Sequence, residues 1–152
     1  MTTRRARATA LVSALTILAA PAALAFETAL RRLLFPPDFV ELRALLAPYL
    51  TPVAWGLGLG AGLGALLGVV VQRRLSAGRL ARLPAGADDD RRHEAVLGVF
   101  LLTTAAPQVP AVLGTLLHLF GAALTPVLVG IALSTAGVIA QAARLGRLAR
   151  SA

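Results

Sequence analysis

Between Trp55 and Gly68 the chain reads WGLGLGAGLGALLG, with Gly56, Gly60, Gly64 and Gly68 four residues apart and Gly58 and Gly62 interleaved at the same spacing. In water this would be a poor helix, because each interior glycine costs roughly 0.5–1 kcal/mol relative to alanine. A bilayer reverses that judgement. Its core offers no water to exposed backbone N–H and C=O groups, so so apolar a segment must close its hydrogen bonds internally, as a helix. The glycines then form a packing surface, since small residues at i, i+4 and i+8 let two backbones approach closely. The run predicts a transmembrane helix with two staggered close-packing faces, one for the chain's own bundle and one for a neighbouring subunit.

Composition supports the same class. Hydrophobic residues make up 57% of the chain and charged residues 14%, against about 25% charged in an ordinary soluble domain. A length of 152 residues accommodates four spans of about 20 residues and little else. The absence of cysteine removes disulfide, thiolate-metal and cysteine-nucleophile chemistry. All basic residues are arginine, and lysine and asparagine are missing, which reads as a GC-rich, bacterial coding bias.

Charge-free stretches divide the chain into spans. Ala8 to Phe26 is apolar, with helix continuing toward Leu34, and Pro52 to Val71 forms a second segment. Ala95 to Ala143 contains no aspartate, glutamate or arginine, more than twice the roughly 20 residues of one span, and must be a hairpin. Its turn is expected between His118 and Leu124, with Thr125 as N-cap and Pro126 at the first helical position of the last helix. The expected fold is all-α and polytopic, one transmembrane domain with helices at about 8–34, 52–72, 95–117 and 126–143. Twelve of the arginines precede the first segment, lie between the second and third, or follow the fourth; Arg31, Arg32 and Arg43 fall on the other side. The positive-inside rule then places both termini in the cytoplasm, in a cell (inner) membrane.

The N-terminus admits two readings. Arg4, Arg5 and Arg7, an apolar core from Ala10 to Ala20, Pro21 and then Ala23-Leu24-Ala25 match a secretory signal peptide cleaved after Ala25, which would leave three spans. The competing reading is an uncleaved helix kinked at Pro21, with Glu27 and Arg31 paired at i,i+4 and a stop at Pro36-Pro37. Both leave the remaining topology unchanged. Beyond the stop, Asp38 and Glu41 sit in capping-box positions of a short external helix over about 39–47. Its apolar face is expected in the membrane interface, with Tyr49 and Trp55 as aromatic anchors.

The loop from Gln72 to Glu94 alternates in sign. Asp88-Asp89-Asp90 reads as helix capping rather than a cation site, because arginines surround it. The arginines are expected on anionic lipid headgroups; their distribution over three flanks excludes a nucleic-acid patch. Two histidines without an acid or cysteine at ligand spacing make no metal centre, and Ser13, Ser76 and Ser134 have no triad partners. No cofactor and no catalytic constellation is expected. The glycine run resembles those of rotary-ATPase proteolipid subunits over residues 55–68 only. That resemblance implies an ion-carrying carboxylate at mid-membrane, from which this sequence departs: Glu27 and Glu94 lie near segment ends.

One polar pattern remains. Thr104, Gln108, Ala111, Thr115 and His118 fall within about 40° of one helical face. Pro107 and Pro110 remove two N–H donors and free the carbonyls of Thr103 and Ala106, which predicts a kink. The stripe is either interhelical hydrogen bonding, with Ser134 and Thr135 as partners, or a polar track for a small solute or proton opening at His118. Two functions follow: a structural or accessory subunit, self-associating or docking on a larger complex through the glycine face, or a minimal transporter or channel component using the stripe.

Overall fold

A proline lacks the N–H that an α-helix needs and restricts the residue before it, so the chain's proline pairs are where helix continuity is decided. A computed structural model describes residues 3–84 and 86–148. It is all-helical: α1 spans Thr3–Leu34, α2 Phe39–Ala81, α3 Asp89–Leu119 and α4 Leu124–Leu148. Each contains a stretch long and apolar enough to cross a membrane. At Pro36-Pro37 the helix stops as expected, and Phe35 and Phe39 stack across the turn with ring centroids 4.2 Å apart.

Pro48 and Pro52 behave differently. The expected short helix over 39–47 and the span over 52–72 are one continuous 43-residue helix. Both prolines lie on the exposed side of α2, so the missing bonds and the ring clash fall away from the packed face and the helix continues. Asp38 does not cap α2 as expected. It adopts helical dihedrals with no side-chain cap bond, and the turn closes through backbone bonds from Phe39 N to Pro36 O (3.1 Å) and Val40 N to Pro37 O (3.0 Å). Asp88 does fulfil the capping role expected of the acidic run: it is extended and accepts from Arg91 N at 3.0 Å.

The α3–α4 turn falls within the expected 118–124 window. Gly121 takes φ +120° there, and a Cβ on it would collide with Arg43 O. The last helix starts two residues early, at Leu124, so Thr125 is not its cap; Pro126 lies inside the first turn, where its missing N–H still costs nothing. Helix ends overrun the expected spans because charge-free stretches mark what is apolar, whereas backbone hydrogen bonding also continues through charged residues.

α2, α3 and α4 pack on one another, and α1 lies against α3 and α4 without approaching the α2 backbone among the described residues. One apolar cluster joins Ala20, Ala61, Ala111, Val127 and Ile131; a second joins Val96, Phe100, Val138 and Leu145. α1 is peripheral: 6% of its most apolar stretch is buried, against 33–39% for the other three helices. The arginine-bearing ends of all four helices meet. Thr9 Oγ1 of α1 lies 3.0 Å from His93 Nε2 of α3, and Arg144 of α4 donates to Val69 O of α2 at 3.2 Å. Arg150 lies outside the described residues.

Candidate functional site

Where two helices touch without a side chain between them, adding one carbon atom reveals the contact. A Cβ on Gly58 would lie 2.9 Å from Pro126 O, and one on Gly130 would lie 3.1 Å from Gly58 Cα. One on Gly62 would lie 3.0 Å from Leu133 Cδ1, and one on Gly137 would strike Ala65. This is the α4 side of α2. The α3 side carries the other series: a Cβ on Gly60 would lie 3.9 Å from Pro110 Cβ, one on Gly64 2.6 Å from Ala106 O, and one on Gly68 3.0 Å from Thr103 O and 2.6 Å from Gln141 Nε2. Gly56 faces open space. Both glycine series therefore meet helices of the same chain. The expectation that one awaited a neighbouring subunit is not met, because α2 sits in the cleft between α3 and α4.

The prolines of α3 explain part of this fit. The N–H groups missing at Pro107 and Pro110 would have bonded Thr103 O and Ala106 O. These are the carbonyls facing Gly68 and Gly64. Glycine Cα–H groups are weak donors to such oxygens at close backbone approach, so the donor deficit on α3 and the missing side chains on α2 are complementary. α3 stays helical through both positions.

The α3 stripe faces inward, but its members have separate partners. Thr104 donates to Leu101 O at 3.0 Å and Thr115 to Val112 O at 2.7 Å. His118 Nδ1 lies 2.7 Å from Ala122 O. Gln108 crosses to α1, where its amide donates to Thr16 O. The α4 partners expected from sequence do not serve: Ser134 Oγ and Thr135 Oγ1 are buried without a hydrogen-bond partner. They sit too far along α4 from the hydroxyl that does cross, which belongs to Thr103 and reaches Gln141 Oε1 at 2.9 Å.

That bond belongs to a buried polar cluster that sequence reasoning missed. Gln72 and Ser76 of α2, Thr103 of α3 and Gln141 of α4 are all at most 4% exposed. Gln72 Nε2 donates to Gln141 O at 3.3 Å, and the Thr103 hydroxyl also lies 2.9 Å from Val99 O. A signal was present. The four-residue ladder of Gly56, Gly60, Gly64 and Gly68 runs on into Gln72 and Ser76, which places both on the packed face.

The opposite end of the bundle carries charge. Arg43 of α2 donates from Nη2 to His118 O at 2.9 Å, placing a cation at the C-terminus of α3, where the helix dipole favours it. Glu27, 3% exposed, has Arg31 Nε at 3.7 Å, as expected for the i,i+4 pair, and accepts from Thr28 Oγ1 at 3.2 Å. Both Glu27 and Arg31 lie close enough to Arg43 to act on it electrostatically. Among the described residues no group of three or more histidine, aspartate or glutamate side chains is placed to hold a metal ion. No family model, curated protein or solved structure matches this chain.

Proposed function

We propose that this chain is a four-span protein of a bacterial inner membrane, with both termini cytoplasmic, acting as a structural or accessory subunit. The observation that carries the reading is the use of both α2 glycine series as an internal glycine zipper. It builds a tight α2–α3–α4 core and leaves large apolar side chains, such as Leu59, Leu63, Leu66 and Leu67 of α2 and Leu11, Leu15 and Leu18 of α1, on the outside. Exposed apolar side chains along two helices fit lipid and membrane partners. Association with a second copy or a larger complex then uses the outer faces of α1 and α2 rather than the glycines.

Orientation is supported by the arginine-rich ends meeting at one end of the bundle, where anionic headgroups hold them. The alternative, a solute track along Thr104, Gln108, Thr115 and His118, has less support, because Thr104, Thr115 and His118 are each paired with a nearby backbone carbonyl and Gln108 with Thr16 O of α1. The chain has no cysteine, so single cysteines at Ala87 and Ala123 report topology directly. In intact cells an impermeant maleimide is expected to label Ala123→Cys, and Ala87→Cys only after permeabilisation. Labelling of both from one side overturns the four-span topology, and the reverse pattern overturns the orientation. Native mass measurement in mild detergent tests the subunit reading: a lone monomer with no partner refutes it.

A further inference from the structure

The α2–α3–α4 junction at the arginine-rich end contains three buried polar atoms without a hydrogen-bond partner: Gln72 Oε1, Ser76 Oγ and Gln141 Nε2. Their side chains are 2%, 3% and 0% exposed, so bulk solvent does not satisfy them, and buried groups of this kind are normally paired. The geometry brings them to one stripe. Gln72 and Ser76 are one turn apart on α2. The Gln72 amide reaches the Gln141 backbone at 3.3 Å, and the Gln141 amide lies over Gly68, one turn before Gln72. A Cβ on Gly68 would stand 2.6 Å from Gln141 Nε2, so the glycine provides the room in which that amide sits.

The unpaired set is complementary in kind. Gln72 Oε1 only accepts, Gln141 Nε2 only donates, and the Ser76 hydroxyl does either. A cation is opposed by the Gln141 N–H and by the Arg144 guanidinium on Val69 O, and an anion by the Gln72 oxygen. A small neutral molecule that both donates and accepts matches the Gln72 oxygen and the Gln141 amide, while Ser76 lies a turn further along α2. We propose that this junction is a binding site for internal water, held between the Gln72 carbonyl and the Gln141 amide. Two to four polar partners are what such a water requires. The proposal is independent of the subunit reading above, because it concerns how three helices are joined rather than what the bundle docks on.

The chain itself simplifies the test. It has no asparagine, and Gln72, Gln108 and Gln141 are its only carboxamide side chains, so the 15N side-chain amide spectrum of the full protein in nanodiscs contains three assignable pairs. The expected result is a long-lived water cross-peak to the Gln141 amide, retained in Ser76→Ala and lost in Gln72→Met. No cross-peak at Gln141 in the wild-type protein overturns the proposal. Complete loss in Ser76→Ala also overturns it, because the signal then came from hydroxyl exchange. Saturable shifts of the Gln72 and Gln141 pairs on adding sodium or potassium overturn it in favour of a cation site.

Discussion

Replacing Gly64 by alanine adds one methyl group at the tightest backbone contact between α2 and α3. The new Cβ would lie 2.6 Å from Ala106 O, 2.8 Å from Ala106 C and 3.0 Å from Pro107 N. All three are backbone atoms, so no side chain can turn away; the helices must separate by several tenths of an ångström. Overpacking of this kind costs about 1–3 kcal/mol, and rigid backbone neighbours put this site at the upper end. Alanine returns roughly 0.5–1 kcal/mol in helix propensity, which leaves a net loss of about 2 kcal/mol. That corresponds to a roughly 30-fold fall in the folded-to-unfolded ratio. Gly56→Ala is the matched control. It adds the same methyl to the same helix, where nothing lies within 4 Å, so only the propensity gain remains. Reversible unfolding in mixed detergent micelles, followed by circular dichroism, compares the two directly. Equal stabilities for Gly64→Ala and Gly56→Ala would refute the idea that α2 is seated backbone-to-backbone on α3.

Gly121→Ala should be at least as damaging, because φ +120° and the Arg43 carbonyl both exclude a side chain; a thermal midpoint within a degree of wild type would contradict this. Arg43→Met removes the guanidinium from His118 O while keeping the aliphatic stem. It is expected to cost about 1–2 kcal/mol and to increase amide exchange in the last turn of α3, and unaltered exchange there would argue against the capping role. Gln108→Leu deletes the bond to Thr16 O. At about 0.6 kcal/mol for a membrane hydrogen bond it should barely change global stability, but it should raise amide exchange in the middle of α1; unchanged α1 protection would show that the contact does not hold that helix.

Much of the architecture is legible locally. The four apolar segments, the stop at Pro36-Pro37, the Glu27–Arg31 pair, the Asp88 cap and the turn near Gly121 each depend on residues within a few positions of one another. Local signals also misled. Pro48 and Pro52 read as a break between an interfacial helix and a span, yet both rings point outward and α2 continues through them. Asp38 had the spacing of a capping box, but backbone bonds to Pro36 and Pro37 closed the turn first.

What the sequence determined by itself is therefore the set of helices and the small surface on α2, because hydropathy, proline and glycine act through the chain's own backbone. Only the tertiary structure decided what that surface meets. Gly58 and Gly62 lie on α4, and Gly64 and Gly68 lie on carbonyls that Pro110 and Pro107 leave free on α3. Thr103 pairs with Gln141 rather than with Ser134 or Thr135. These outcomes depend on the rotation and axial register of helices far apart in sequence, which close packing sets across the whole bundle, and no single segment encodes them.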